Sequence, residues 1–303
     1  MRRGSALLIG VAALAISVAA ACSTGGPSSR SDGKVAVVAA ESFWGSIARQ
    51  LGGDRISVTD IIDNPDTDPH DYEPTPADGR SVAKSRYVIV NGLGYDTWAS
   101  DLVSADESDQ RTVLDVGDVL GLHTGDNPHR WYYPDDVTRV IDRVTADLTS
   151  IDPANASYYA QKHDEFTGTA LRPYRDLIAR VRSTYAGTPV GASESIVDGM
   201  AQAAGLELKT PPSFLDAIGE GNDPDAADKV TVDNQIKGHQ ISVFAYNSQN
   251  ATPDVQRLVD EAHDNNIPVV TVTETPVPAG VTFQDWQTAQ WQHLADALAE
   301  ARG

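Results

Sequence analysis

The amino-acid sequence predicts an α/β fold of two lobes with mainly parallel sheets, joined by a long helix. Three observations predict it. Short apolar runs of strand length alternate with stretches of helical spacing over residues 35–148. A stretch from Pro153 to about Tyr185 then carries no β run at all. The alternation resumes at Thr188 and continues to Ala301. Strands that alternate with helices imply βαβ crossovers, and crossovers imply parallel strands.

Residues 35–40 form a short apolar run that fits a buried strand. Phe43, Ile47 and Leu51 follow at helical spacing over residues 41–51, and Gly52-Gly53 stops that helix. Residues 56–62 read as a second strand, 74–83 as a helix, and 87–90 as a third strand ending at Asn91-Gly92. Residues 136–148 place Val137, Val140, Ile141, Val144 and Leu148 on one helical face. Asp152 can cap the long helical stretch, with Pro153 at its first helical position. Pro173 predicts a kink or break inside it. Beyond it, residues 188–192 read as a strand, 196–204 and 231–237 as helices, and 241–246 as a strand. Residues 253–263 then form a helix, 268–272 a strand and 283–301 a closing helix.

The front of the chain indicates export. Arg2 and Arg3 precede an apolar run that ends at Cys22, the pattern of a secretory signal over residues 1–21. Cys22 is the only cysteine, which excludes an intramolecular disulfide. With Ala19-Ala20-Ala21 before it, Cys22 resembles a lipobox cysteine that becomes a lipidated N-terminus, although Ala19 stands where leucine is usual. Residues 22–33 are rich in Ser, Gly and Pro and read as a flexible tether. The remainder divides into a first α/β lobe at 34–152, a linking helix at 153–186 and a second α/β lobe at 187–303. Loss of Arg2 and Arg3 takes the net charge from −20 to −22. Nucleic acid is excluded as a partner, because phosphate neutralisation needs Lys and Arg.

Asp68-Pro69-His70-Asp71-Tyr72-Glu73-Pro74 and Asn127-Pro128-His129-Arg130-Trp131 each fix a histidine beside a proline. Proline locks its own φ and extends the residue before it, so each histidine sits on a stiffened loop. Glu194 follows the strand at 188–192, and Glu274 follows the strand at 268–272. Each acid by itself also fits the first turn of a helix. Together, at the facing strand ends of two lobes, the four residues make a cage of two nitrogens and two carboxylates. Such a set suits Zn, Mn, Fe and Co. His123, His163, His239, His263 and His293 lack partners at metal-ligand spacing and are assigned to structure or surface.

These motifs resemble those of metal-specific solute-binding lipoproteins of bacterial ABC importers, the group serving zinc and manganese. The two histidine runs are similar to that family's first and second ligand loops. Asn91-Gly92-Leu93-Gly94-Tyr95-Asp96-Thr97-Trp98 resembles the strand-end run between them, and Gly219-Glu220-Gly221-Asn222-Asp223-Pro224 a stretch of the second lobe. The resemblance implies two lobes joined by one long rigid helix, with the ion in the cleft between them. It places His70, His129, Glu194 and Glu274 as ligands, with Asp68 or Asp71 available to tie down a histidine ring. Trp131 and Tyr72 would shield the site.

The resemblance further implies a tethered monomer that captures Mn²⁺ or Zn²⁺ outside the membrane and docks on an ABC permease. A carboxylate in third place favours manganese, and Fe²⁺ also fits. Glu274 stands where the family usually has Asp, which alters reach and denticity. Two other classes compete. One is a partner-binding adhesin on the same fold. The other is a metallohydrolase, which the absence of a His-Glu-x-x-His run and of a separate general base argues against.

Overall fold

Among the described residues, eight strands form two four-stranded sheets in which every pair is parallel. The first holds β1 (Val35–Glu41), β2 (Ile56–Ile62), β3 (Tyr87–Val90) and β4 (Thr112–Asp115), in the order β2-β1-β3-β4. The second holds β5 (Pro189–Ala192), β6 (Glu207–Leu208), β7 (Val243–Asn247) and β8 (Val269–Val272), in the order β6-β5-β7-β8. One strand order thus occurs twice. The computed structural model describes Met1, residues 33–67 and residues 72–303. Residues 2–32, with the expected leader and Cys22, lie outside these, as do residues 68–71 with Asp68, His70 and Asp71. The chain divides into Met1–Gly33 and Lys34–Gly303, and both sheets belong to the second unit.

In the first half, α1 (Ser42–Gly52), α2 (Pro76–Lys84), α3 (Thr97–Ala105), α4 (Val116–Leu120) and α5 (Pro134–Ile151) connect and cover the strands. Helix α2 begins later than its apolar pattern predicts. Pro76 holds Thr75 extended, at φ −88° and ψ 161°, and Thr75 and Asp78 close a reciprocal capping box there. Strand β4 and helices α3 and α4 have no counterpart in the sequence reading. Strand β4 is a four-residue edge strand in an Asp- and Gly-rich stretch.

The long helical stretch is interrupted where a proline predicts it. Helix α6 (Ala156–Glu165) passes through a π turn at Phe166–Ala170 into α7 (Arg172–Tyr185). Pro173 sits in the first turn of α7, where the missing N–H forfeits no helical hydrogen bond. Asp152 does not cap the stretch through the backbone. Its Oδ2 accepts from Asn155 Nδ2 at 2.7 Å and from the Tyr159 hydroxyl at 2.9 Å.

In the second half, α8 (Asp198–Ala204), α9 (Pro212–Gly219), α10 (Ala226–Lys237), α11 (Pro253–Asp264) and α12 (Phe283–Glu300) complete the chain. Helix α10 starts five residues before its predicted onset, because Asp225 caps it at the Ala227 N–H and its first turns are polar. Helix α9 and the two-residue β6 were not expected. Helix α12 returns to pack on α1 and α7. Ser46 Oγ accepts the Phe283 N–H at 2.9 Å, and Gln50 and Gln284 bond reciprocally.

One apolar core runs through both halves, from Val37 of β1 to Val272 of β8 and Leu298 of α12. Its centre is aromatic. Phe43 stacks on Trp131 at 4.1 Å between centroids, and Trp286 packs against Phe43, Tyr132 and Phe283. No helix among the described residues is long and apolar enough to cross a membrane.

Parallel direction gives all the carboxyl ends of a sheet the same side. Many of the buried polar residues collect there: Glu41 ends β1, Asn91 follows β3, Ser193 and Glu194 follow β5, Asn247 ends β7, and Thr273 and Glu274 follow β8. The loop after β3 needs left-handed backbone at Gly92, Leu93 and Gly94, with φ of 71°, 61° and 90°. Asp96 holds it by accepting the N–H groups of Asn91 and Gly92 at 2.7 and 2.8 Å.

The two halves also meet where α8 lies on the turn at Tyr132. A Cβ on Gly199 would stand 2.6 Å from the Tyr132 carbonyl oxygen, and backbone cannot yield as a flexible side chain does. Gly199→Ala is expected to destabilise the protein by about 1–3 kcal/mol, read as a lower urea midpoint at unchanged m-value. An unchanged midpoint would contradict that contact.

Candidate metal centre

His129 stands at the end of an irregular loop, just before a single 3₁₀ turn at Arg130–Tyr132. It is buried, with the Trp131 ring edge-on at 5.3 Å and the Tyr95 ring at 6.1 Å. Asn127 sets its tautomer. Asn127 Oδ1 faces the His129 backbone N–H at 3.0 Å and Nδ1 at 2.9 Å, while Asn127 Nδ2 donates to the Ser195 carbonyl at 2.7 Å and to Asp198 Oδ2 at 3.2 Å. The backbone N–H of His129 on one side and two acceptors on the other leave one orientation for the amide, with its oxygen towards Nδ1. The imidazole proton is therefore on Nδ1, and Nε2 carries the lone pair that can bind an ion. The ring partner of His129 is thus Asn127, two residues away, while Asp68 and Asp71 lie outside the described residues.

Glu194 leaves β5 in extended conformation and does not cap the turn that follows it. Its Oε1 accepts from Asn247 Nδ2 at 2.8 Å and its Oε2 from Asn250 Nδ2 at 2.8 Å. Glu274 accepts from Asn247 Nδ2 at Oε1, 2.7 Å away, and from the Tyr95 hydroxyl at Oε2, 2.6 Å away. Its backbone N–H and that of Thr275 donate to Gln249 Oε1 at 2.6 and 2.9 Å. One ligand atom each from His129, Glu194 and Glu274 lie within 4.8 Å of one another, and all three residues are buried. His70, the fourth residue of the expected cage, lies outside the described residues.

The loop that runs on to His70 is anchored at this place. Gln249 Nε2 donates to the carbonyl of Pro65, five residues before His70. Tyr72, just beyond, packs edge-on against Trp98 at 4.8 Å and donates to Asp78 Oδ2 at 2.9 Å. Trp131 is fully buried behind His129. The run from Gly219 also comes to the site: a Cβ on Gly219 would lie 3.9 Å from His129 Cε1. A cavity of about 360 Å³ opens there, lined by Tyr95, Asp126, His129, Asp216 and Glu220 among others. His123, His239, His263 and His293 are exposed, and His163 pairs with Asp142 on the surface.

Residues that carry no ligand signal in the sequence complete the arrangement. Asn247, Gln249 and Asn250 form one polar run at the end of β7 and just beyond it, with the composition of an ordinary turn. Glu41 reads as the first residue of a helix, yet it is the buried end of β1. Burial, then the neighbouring Asp96 carboxyl, pushes Glu41 well above the usual carboxylate range. Burial likewise pushes Asp96 up to about 6, against the hydrogen bonds from Asn91 and Gly92. Burial and the Glu274 carboxylate keep the Tyr95 phenol protonated, as its donation to Glu274 requires.

An acid whose folded pKa is raised is neutral in both states below its unfolded value, near 4.5 for Glu41. Above that pH the unfolded chain releases the proton more readily, so stability from this group is lost as pH rises towards the folded pKa. Glu41→Gln does not titrate and keeps a donor facing Asp96. The variant is expected to melt a few degrees above wild type at pH 7.5, with the gap closing by pH 4.5. A gap that stays constant with pH would exclude the effect.

The family model for the zinc-uptake complex component A, periplasmic (ZnuA), matches residues 37–297. The manganese-binding lipoprotein MntA of Halalkalibacterium halodurans is 30% identical over 153 residues, which cover 49% of this chain and 51% of that protein. The iron-binding protein YfeA of Yersinia pestis is 27% identical over 188 residues, 59% of this chain and 60% of that protein. The chain thus spans about half the length of the first of these relatives and three fifths of the second. The solved structure of a Mn-bound periplasmic metal binding protein from Candidatus Liberibacter asiaticus superposes with a TM-score of 0.71 at 19% identity, covering 88% of this chain and 99% of that one. At that identity the likeness is one of fold. With the family model matched over most of its length, the chain belongs to the family of the zinc-uptake complex component A.

Proposed function

We propose that this protein captures a divalent transition-metal ion outside the cytoplasm and delivers it to an ABC permease for import. The observation that carries the reading is the convergence of His129, Glu194 and Glu274 in a buried site at the strand ends. His70 is proposed as the fourth ligand, supported by the anchoring of its loop at Pro65 beside Gln249. The names of the relatives support manganese and iron as cargo, and the family name supports zinc. Two carboxylates with two imidazoles make a harder set than one rich in histidine, which favours Mn²⁺ relative to such a site. Zn²⁺ still exceeds Mn²⁺ in raw affinity at a given set of ligands.

The role is binding and delivery, with no catalytic step assigned. The ion is cargo, and the permease is the partner that takes it. A lipid on Cys22 would hold the protein at the membrane as a monomer, with residues 22–33 as tether and 34–152 and 187–303 as lobes on either side of the linking helix at 153–186.

Anaerobic titration of metal-stripped chain beginning at Lys34, with Mn²⁺, Zn²⁺ and Fe²⁺ in competition, tests this. One tight site per chain is expected. His129→Ala, Glu194→Ala and Glu274→Ala should each weaken it by about 100-fold or more, since loss of an outer-shell partner alone typically costs 10–100-fold. Affinity should fall as pH drops below about 6, where imidazole protonation competes with the ion. Absence of stoichiometric binding by any of the three ions would overturn the reading.

A further inference from the structure

A single amide stands between the two glutamates. Asn247 is fully buried at the end of β7, and its Nδ2 donates to Glu194 Oε1 at 2.8 Å and to Glu274 Oε1 at 2.7 Å. An amide nitrogen has two N–H groups, so both are engaged by the acids. The other side of the residue is fixed as well. Its Oδ1 accepts the Gln249 N–H at 2.9 Å, and its own N–H donates to Ser193 Oγ at 3.2 Å. This leaves Asn247 no freedom to turn away from either glutamate.

The second oxygen of each acid is also held, Glu194 Oε2 by Asn250 and Glu274 Oε2 by Tyr95. Each of the four carboxylate oxygens therefore accepts from a neutral donor. Two neighbouring carboxylates repel, and an N–H directed at each offsets that repulsion without adding positive charge. A lysine or arginine in this place would cancel the negative charge that a dication needs. Asn247 holds the pair together and leaves the charge in place.

We propose that Asn247 is the specificity-determining positioning residue of this site. This rests on the reading of Glu194 and Glu274 as ligands. By bridging them, Asn247 fixes the tilt of both carboxylates, so that more than one oxygen can face the ion. Zn²⁺ is satisfied by four ligands in a tetrahedron, whereas Mn²⁺ takes a larger set of hard oxygen donors. A braced pair of carboxylates therefore lowers the disadvantage of Mn²⁺, and a relaxed pair restores the preference for Zn²⁺.

The test compares the metal-stripped protein with Asn247→Ala, Asn247→Asp and Asn250→Ala variants, using competing Mn²⁺ and Zn²⁺ and the visible spectrum of bound Co²⁺. Asn247→Ala is expected to weaken Mn²⁺ binding by about 10–100-fold, the range typical of outer-shell partners, and Zn²⁺ binding distinctly less. Its Co²⁺ bands should intensify, as they do on passing to four-coordination. Asn247→Asp keeps the size of the side chain and the acceptor for Gln249 but brings no N–H. It should shift the Mn²⁺ to Zn²⁺ ratio the same way, and it serves if the alanine variant does not fold. Asn250 holds one glutamate only, so Asn250→Ala should weaken both ions alike and leave the ratio unchanged. The proposal is overturned if folded Asn247 variants keep the wild-type ratio and Co²⁺ spectrum, or if Asn250→Ala moves the ratio as far. Failure of wild type to bind any of these ions would instead refute the glutamates as ligands, and the proposed role of the bridge with them.

Discussion

A carboxylate taken out of water must meet hydrogen-bond donors, and two placed side by side must meet them at every oxygen. Glu194 and Glu274 are in that position, and much of the surrounding structure follows from it. The donors come from Asn247 at the end of β7, from Asn250 beyond it and from Tyr95 on the loop after β3. Parallel sheets make this assembly possible. Their strands all finish on one side, so β5, β7 and β8 bring their carboxyl ends to a common place while helices cover the faces. The repeated strand order gives the first sheet the same geometry, and its ends bring Glu41 and Asn91. Asn91 in turn joins Trp44 Nε1 to the carbonyl of Pro128, at 3.0 Å each, and so steadies the residue before His129.

What could be read from sequence divides along the same physical line. The helices α5, α7, α11 and α12 show their apolar period over several turns, and their bounds fall within a few residues of expectation. Strands β4 and β6 are short and lie at sheet edges, so their identity comes from the neighbour they pair with. His129 was legible because Pro128 and Trp131 mark its loop, and the two glutamates because each follows an apolar run. Asn247 was not, since Asn247-Ser248-Gln249-Asn250 has the composition of any turn. Its role arises only when β5 and β8 flank β7 and bring both acids to one amide. Glu41 misleads for a related reason. An acid before a helix ordinarily serves the helix dipole in water, and its burial against Asp96 is a property of the assembled sheet.

Four of the bonds that join the halves also organise the site. Tyr95 reaches Glu274, Tyr132 donates to the Thr273 carbonyl, Asn127 donates to the Ser195 carbonyl, and Gln249 reaches Pro65. Each of these touches a candidate ligand or one of its near neighbours in the chain. The junction and the candidate site thus share these bonds. Neither sheet alone supplies both the imidazole and the carboxylates.

This bears on how a captured ion would leave. Behind His129 the frame is a buried aromatic cluster, Phe43, Trp131, Tyr132 and Trp286, tied down by α12. Separating the halves as rigid bodies would expose several of these side chains, at about 1.5–3 kcal/mol each. Turning the loops that carry the ligands would cost a few hydrogen bonds, at about 1 kcal/mol net each. The second route is the cheaper by the energy of the aromatic core. On the proposed function, a permease would therefore unload the ion by drawing on the loop that carries His129 and on the amide loop after β7, while the two sheets and the helices between them stay in place.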